Sequence, residues 1–247
     1  MKIETTVKTM KELRELVAVL ADEAVFTFGP AGLGIVTKDT AHVGLVSIGL
    51  AKEAFAQYDD AVPVGVDMDM LKSFLDHLDD DAPFGILQTE DMKGRIQLRS
   101  KTRTLDVKPA DTSGLPDAKL PRVTFDRVVT VPTAELRCAL EAIKPFHDHA
   151  TLAVRVDELR VLSVSRNNED ELPSIQTTIP ILDAACPDKG EAKSAFPLDY
   201  LYNMVRAIRS ENVTVELGKD KPVSFKFTFA GGRGSCLFML APRIETQ

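Results

Sequence analysis

A chain of 247 residues with 44% hydrophobic and 27% charged side chains has the balance of a globular protein, and intrinsic disorder is excluded as its main state. Thirty lysines and arginines against 37 acids give a net charge of −7. A uniformly basic nucleic-acid coat is thereby excluded, and any attraction to phosphate needs cations gathered on one face. Tryptophan is absent and aromatics are 6%, too few for base-stacking platforms. No apolar run approaches the roughly 18 residues of a membrane span, and the scattered Cys138, Cys186 and Cys236 make no disulfide framework, so the chain reads as intracellular.

The opening run MKIETTVKTMKELRELV alternates charged with apolar residues and does not read as a secretory signal. Leu13, Leu16, Val17 and Leu20 set the i, i+3, i+4, i+7 stripe of a first helix, with Thr9 near its start. Strands rich in Val, Ile, Thr and Phe are expected over 24–28, 34–37 and 42–50. Asp69 then precedes a second stripe, Leu71, Phe74, Leu75 and Leu78, and strands follow over 84–89, 95–99 and 102–107. The stretch 109–123, PADTSGLPDAKLPRV, holds three prolines and a glycine and reads as an extended linker. Pro132 and Thr133 open a third helix with the stripe Leu136, Ala139, Leu140 and Ile143. Strands over 151–156, 160–165 and 174–179 come next. Pro197 and Asp199 open a fourth, Leu201, Met204, Val205 and Ile208, before strands over 213–217, 224–229 and 236–240. A proline suits such helix starts.

A helix recurring roughly every 60 to 65 residues argues for a structural repeat. Glu12-Leu13-Arg14 echoes Glu135-Leu136-Arg137, and Met68-Asp69-Met70-Leu71 echoes Leu198-Asp199-Tyr200-Leu201. The expected fold class is α+β: two similar domains, 1–108 and 124–247, each an antiparallel sheet with helices on one face, joined by 109–123. The other reading of the same periodicity is two unrelated α+β domains.

Catalytic chemistry is sparse. Gly231-Gly232-Arg233-Gly234-Ser235 lies between two expected strands with no helix after it, unlike a phosphate loop. His147-Asp148-His149 lacks a third ligand at metal-site spacing and reads as a polar turn; a metal-dependent hydrolase built on it is the alternative of a different class. Asp67/Asp69, Asp79-Asp80-Asp81 and Glu169-Asp170-Glu171 sit at expected helix ends or turns, where acids are solvated. His42 falls inside an expected apolar strand. No metal or cofactor is expected. The helices carry more pattern. Glu12, Asp69, Glu135 and Asp199 are expected in first turns, where they complement the helix dipole. Beyond them the polar faces bear Lys11, Arg14, Lys72, Arg137, Lys144, Arg206 and Arg209 against fewer acids, Glu15, Asp76, Asp79 and Glu141. A plain solvated outer face would carry charge as well.

The run Gly32-Leu33-Gly34-Ile35 with Lys38-Asp39-Thr40-Ala41-His42-Val43-Gly44-Leu45-Val46, followed by Leu50, Phe55 and Tyr58, resembles the first domain of the proliferating cell nuclear antigen family of DNA sliding clamps. FPLDYLYNMVRAI with VTVELGKDKPV resembles the second, and the ending LAPRIE resembles the family's C-terminal signature, in an archaeal form. The resemblance implies a ring of three such chains around duplex DNA, a replication and repair processivity factor without catalysis or cofactor, cytoplasmic and nucleoid-associated (nuclear in a eukaryote). It implies that Lys11, Arg14, Lys72, Arg137, Lys144, Arg206 and Arg209 face DNA. Ala18, Asp76 and Glu141 stand where eukaryotic relatives tend to carry lysine or arginine. By the same resemblance Thr102, Thr104, Leu105 and Val107 of one subunit pair with Ser174, Ile175, Thr177 and Ile179 of the next. A pocket of His42, Val43, Leu115, Pro222, Met239, Ala241, Pro242, Arg243 and Ile244 would take short hydrophobic peptides of DNA polymerase, clamp loader, flap endonuclease and DNA ligase. Lys38 replaces a methionine frequent there in eukaryotic relatives. A clamp subunit that assembles only with non-identical paralogs is a third reading.

Overall fold

Among the described residues, each of the four α-helices begins on the residue after a strand ends. In the computed structural model, which describes residues 1–59, 63–89, 92, 94–101, 103–111, 119–155, 158–163, 173–185 and 190–243, β1 (Lys2–Thr6) runs into α1 (Val7–Val17). Then come β2 (Glu23–Gly29), β3 (Gly32–Lys38), β4 (Gly44–Ala51), β5 (Gln57–Tyr58) and β6 (Val64–Asp67), which runs into α2 (Met68–Leu75). β7 (Pro83–Leu87), β8 (Ile96–Ser100) and β9 (Arg103–Val107) follow. β10 (Arg127–Pro132) leads into α3 (Thr133–Ile143), followed by β11 (His149–Val154), β12 (Glu158–Ser163), β13 (Ile175–Pro180) and β14 (Asp183–Ala185). β15 (Ala192–Pro197) leads into α4 (Leu198–Ala207), and β16 (Asn212–Leu217), β17 (Val223–Phe229) and β18 (Gly234–Leu240) complete the order.

The chain divides into two compact units, Met1–Leu120 with Thr228–Cys236, and Pro121–Phe227 with Leu237–Gln247. In the first unit one antiparallel sheet has the order β5-β1-β7-β8-β9, and β6, β2, β3 and β4 pair in succession. Residues 228–236 are tied in by Ala230 N donating to the Glu12 carboxylate at 3.0 Å and Ala51 N donating to the Arg233 carbonyl at 2.9 Å. In the second unit one sheet has the order β13-β12-β11-β15, and β14, β10, β16 and β17 pair antiparallel in succession.

The helix stripes form one side of the core, against apolar strand residues such as Ile35, Phe84, Leu152 and Phe225. Leu13, Leu16, Val17, Leu71, Phe74, Leu75, Leu136, Ala139, Leu140, Ile143, Leu201, Met204, Val205 and Ile208 are all buried. Leu20 and Leu78 lie past the ends of α1 and α2 and are half-buried. Phe74 meets Phe84 of β7 edge-to-face at 6.0 Å, a favoured ring geometry. A helix leaves its first amides without internal partners. Here the first N–H of every helix donates to a carbonyl in the segment after its partner helix. Val7 donates to Ala82 (2.9 Å), Met68 to Asp22 (2.8 Å), Thr133 to Glu211 (2.9 Å) and Leu198 to Asp148 (2.9 Å). Both units use the same reciprocal device, so the repeat extends to the hydrogen bonds.

Several expectations change. Thr9, Asp69, Thr133 and Asp199 lie in first turns, and the capping residues precede them: Thr6 accepts from Thr9 N and Asp67 from Met70 N, while Pro132 and Pro197 offer only a pre-set φ of −63° and −60°. Of the other acids, Glu135 also lies in a first turn. Glu12 does not, because α1 already starts at Val7; its carboxylate serves Ala230 instead. The strand expected from residue 42 begins at Gly44. The buried Asp39 carboxylate accepts from Ala41, Val43 and Gly44 N–H groups, a side-chain turn that replaces strand pairing. His42 is held there at φ 59°, exposed rather than in a strand. Six strands were not anticipated: β1, β5, β6, β10, β14 and β15. The triplet Glu169-Asp170-Glu171 and Cys186 lie outside the described residues.

Candidate functional site

Within the first unit α1 packs on α2, and the two run antiparallel. Lys11 Nζ reaches the Leu78 carbonyl (2.9 Å) and Asp80 (2.8 Å) past the end of α2. One turn later Arg14 reaches the Met68 carbonyl (3.0 Å) and Asp69 (3.2 Å) at its start. Lys72 Nζ bonds Asp76, the residue that caps the end of α2, at 2.7 Å, an i, i+4 pair. That hydrogen bond holds the Asp76 carboxyl below its ordinary range. Arg103, the first residue of β9, donates to the Phe74 and Asp76 carbonyls at 2.7 and 3.0 Å. It thereby satisfies carbonyls at the end of α2, where a cation suits the dipole.

The second unit repeats the antiparallel pair, with Arg137 in the place of Lys11 and other ties of its own. Arg137 on α3 donates to the Ile208 carbonyl at the end of α4 (2.8 Å), and its Nε is buried with no hydrogen-bond partner among the described residues. Lys144 Nζ lies 4.3 Å from the centre of the Tyr202 ring, within cation–π range, and the Tyr202 hydroxyl donates to Glu141 at 3.1 Å. Arg206 is exposed in the last turn of α4. Among the described residues it has no side-chain partner. Arg209 is exposed just after the helix. Of the seven cations expected to face DNA, Lys11, Arg14, Lys72 and Arg137 thus direct donors to acceptors within the protein. Sequence spacing identified these cations but not the inward ties, whose partners are 54 to 71 residues away for Arg14 and Arg137.

The segments expected to join subunits are sheet edges. β9, with Thr104, Leu105 and Val107, is outermost in its five-stranded sheet, and β13, with Ile175, Thr177 and Ile179, is outermost in its four-stranded sheet. Ser174 directly precedes β13, and Thr102 lies outside the described residues. Leu105 and Val107 are half-buried, while Ile179 is buried within its own unit.

The residues expected to take peptides are divided between the units, and each is described in its own. In the first, His42 lines an open pocket of about 640 Å³ with Leu20, Lys38 and the acids Asp22, Glu23, Asp39 and Asp67; Val43 is half-buried beside it in the chain. In the second, Pro222 precedes β17, Met239 is buried in β18, and Ala241 and Pro242 are half-buried before the exposed Arg243. Arg243 N donates to the Ala195 carbonyl (2.8 Å) and its guanidinium to Asp148 (3.1 Å). Leu115 and Ile244 lie outside the described residues.

His147 and His149 meet edge-to-face at 6.0 Å. His147 Nε2 lies 2.8 Å from the Pro173 carbonyl and His149 Nδ1 2.8 Å from Asp148. Among the described residues no group of three or more His, Cys, Asp or Glu is placed to hold a metal, and no helix is long and apolar enough to cross a membrane. The roles of Tyr202 and Arg103 had no signal in the sequence, and Asp148 was singled out only as part of a candidate metal cluster; each acts on a partner more than 25 residues away.

A family model described as the N-terminal domain of proliferating cell nuclear antigen matches residues 3–107. The DNA polymerase sliding clamp of Natronomonas pharaonis is 31% identical over 243 residues, covering 97% of this chain and 96% of that one. A solved structure of the C-terminal region of FEN-1 bound to A. fulgidus PCNA superposes with a TM-score of 0.87 at 22% identity, covering 100% of this chain and 99% of that one. The PCNA2–PCNA3 complex of Sulfolobus tokodaii gives a TM-score of 0.81 at 19% identity, covering 99% and 100%.

Proposed function

The chain belongs to the proliferating cell nuclear antigen family of DNA polymerase sliding clamps, and we propose that it works as a ring of three identical subunits around duplex DNA. Two clamp domains, 1–108 and 124–247, are joined by the connector 109–123. The observation that carries the ring is the pair of open edges, β9 in one unit and β13 in the other. Unpaired edges invite association with another chain. Two different edges on one molecule make a head-to-tail contact, which closes into a cycle when its rotation allows.

The helices then offer Lys11, Arg14, Lys72, Arg137, Lys144, Arg206 and Arg209 to phosphate. Such contacts are independent of base sequence. Hydrogen bonds to the protein's own acceptors at four of these cations and a net charge of −7 keep the attraction weak, as sliding requires. The grip is topological. Catalysis is left to partners: polymerase, clamp loader, flap endonuclease and ligase dock short hydrophobic peptides against His42, Val43, Leu115, Pro222, Met239 and 241–244, a helix-in-groove mode. Tethering makes their rebinding effectively intramolecular. The setting is cytoplasmic, on the nucleoid.

The solution mass of the purified chain tests the assembly. The proposal expects three times the 27.1 kDa chain mass. A chain that stays monomeric alone and assembles only with added paralogs overturns it.

A further inference from the structure

We propose that Asp148 is a positioning residue for partner-peptide binding: its carboxylate holds the Arg243 guanidinium and so sets the course of residues 241–243 along the end of β15. The proposal rests on the peptide-tethering reading above and deepens it.

Three contacts form a closed circuit within the second unit. Arg243 N donates to the Ala195 carbonyl on β15 at 2.8 Å. Arg243 Nη1 donates to Asp148 Oδ1 at 3.1 Å. The Asp148 carbonyl, in turn, accepts from Leu198 N at 2.9 Å, the first amide of α4. β11 and β15 are paired strands, with Thr151 opposite Ala195 and His149 opposite Pro197, so one anchor of Arg243 lies within this sheet and the other directly before β11. One hydrogen bond leaves a terminal segment free to swing about it. A second, from the side chain, fixes its direction. His149 Nδ1 donates to the same Asp148 oxygen at 2.8 Å, and this bond, aided by Arg243, holds the Asp148 carboxyl below its ordinary range. The acceptor stays ionised and aimed. Both partners are exposed, 45% and 79%, so the pair adds little to global stability. A contact of that kind matters where it orders a segment that must already be in place when a ligand arrives.

The test is a double-mutant cycle read by fluorescence anisotropy of a labelled synthetic peptide from a flap endonuclease C-terminal region. Asp148→Ala is expected to weaken binding about twofold to fivefold, the range of exposed ion pairs. In an Arg243→Ala background it is expected to add no further loss. Full affinity in Asp148→Ala, or the same loss in both backgrounds, overturns the proposal. Arginine-selective ¹⁵N NMR without peptide gives a second reading. The Arg243 amide, identified by its absence in Arg243→Ala, is expected to exchange faster with solvent in Asp148→Ala; unchanged exchange overturns the proposal. A parent protein that binds no peptide overturns the tethering reading, and the NMR result still reports on the latch, so the two failures are told apart.

Discussion

Lys11 and Arg137 occupy equivalent places in the two halves, each the fifth residue of its helix, and both grip the far end of the partner helix. Lys11 donates to the Leu78 carbonyl past the end of α2 and Arg137 to the Ile208 carbonyl at the end of α4. A carbonyl past the end of a helix has no internal donor and welcomes a cation. Arg137 therefore does structural work that Arg206, exposed on α4 with no side-chain partner among the described residues, does not.

Arg137→Ala is expected to cost about 1–2 kcal/mol, the loss of a charge-assisted hydrogen bond that leaves a carbonyl unpaired. Arg206→Ala is expected to stay within about 0.5 kcal/mol of the parent. Urea denaturation of both checks the difference. Arg206→Glu should reduce polymerase stimulation on primed DNA at unchanged stability, and equal stimulation at physiological salt would count against Arg206 as a DNA-facing residue.

The two side-chain N-caps make a separate prediction. Thr6→Ala and Asp67→Ala each remove the acceptor of a first-turn amide and are expected to cost about 1 kcal/mol. Pro132→Ala has no side-chain cap to lose and should cost less. Thermal melting of the three variants is the check.

At the edge strand, Leu105→Asp is expected to turn the assembly into folded monomers. Leu105 is only half-buried within its own unit, so the chain tolerates the change. A carboxylate buried between subunits without a partner does not. Light scattering with far-UV circular dichroism reads both consequences. A full-mass assembly in the variant would remove β9 from the interface.

Acid should loosen the start of β10. Asp126 accepts from Lys221 Nζ at 2.8 Å and Lys219 N at 2.9 Å, and these bonds lower its pKa from the ordinary 3.8. A carboxyl depressed in the folded state adds stability that is complete above the unfolded pKa and fades as pH falls through the folded one. Stability should therefore hold from neutrality to about pH 4 and fall below it. Asp126→Asn should show a shallower acid loss in pH-dependent denaturation; an identical profile would remove Asp126 from the effect.

The helices were legible because each writes a 3.6-residue stripe, from Leu13–Leu16–Val17 to Leu201–Met204–Val205, that is buried as a block. The strands just before them were not. β6 is four residues long and β15 reads AKSAFP, too short or too poor in β-branched residues to stand out; β10, RVVTVP, carried the signal and was passed over. Asp39 pre-empted the strand at His42 through a turn that local apolar pattern does not record. The cations were legible as residue types on a face. That Lys11 and Arg14 bend back to α2 depends on residues 54 or more away. The Asp148–Arg243 pair spans 95 residues and leaves no local trace. The edge strands entered through family resemblance, since nothing in the composition of β9 distinguishes an edge from an interior strand.

Retention on linear DNA tests the topological grip most directly. The protein is loaded on linear duplex whose ends are either open or capped by bulky blocks, and its release is timed by single-molecule fluorescence at physiological salt. A closed ring predicts rapid loss from open ends and long retention between blocked ends. Equal release from both would contradict encirclement.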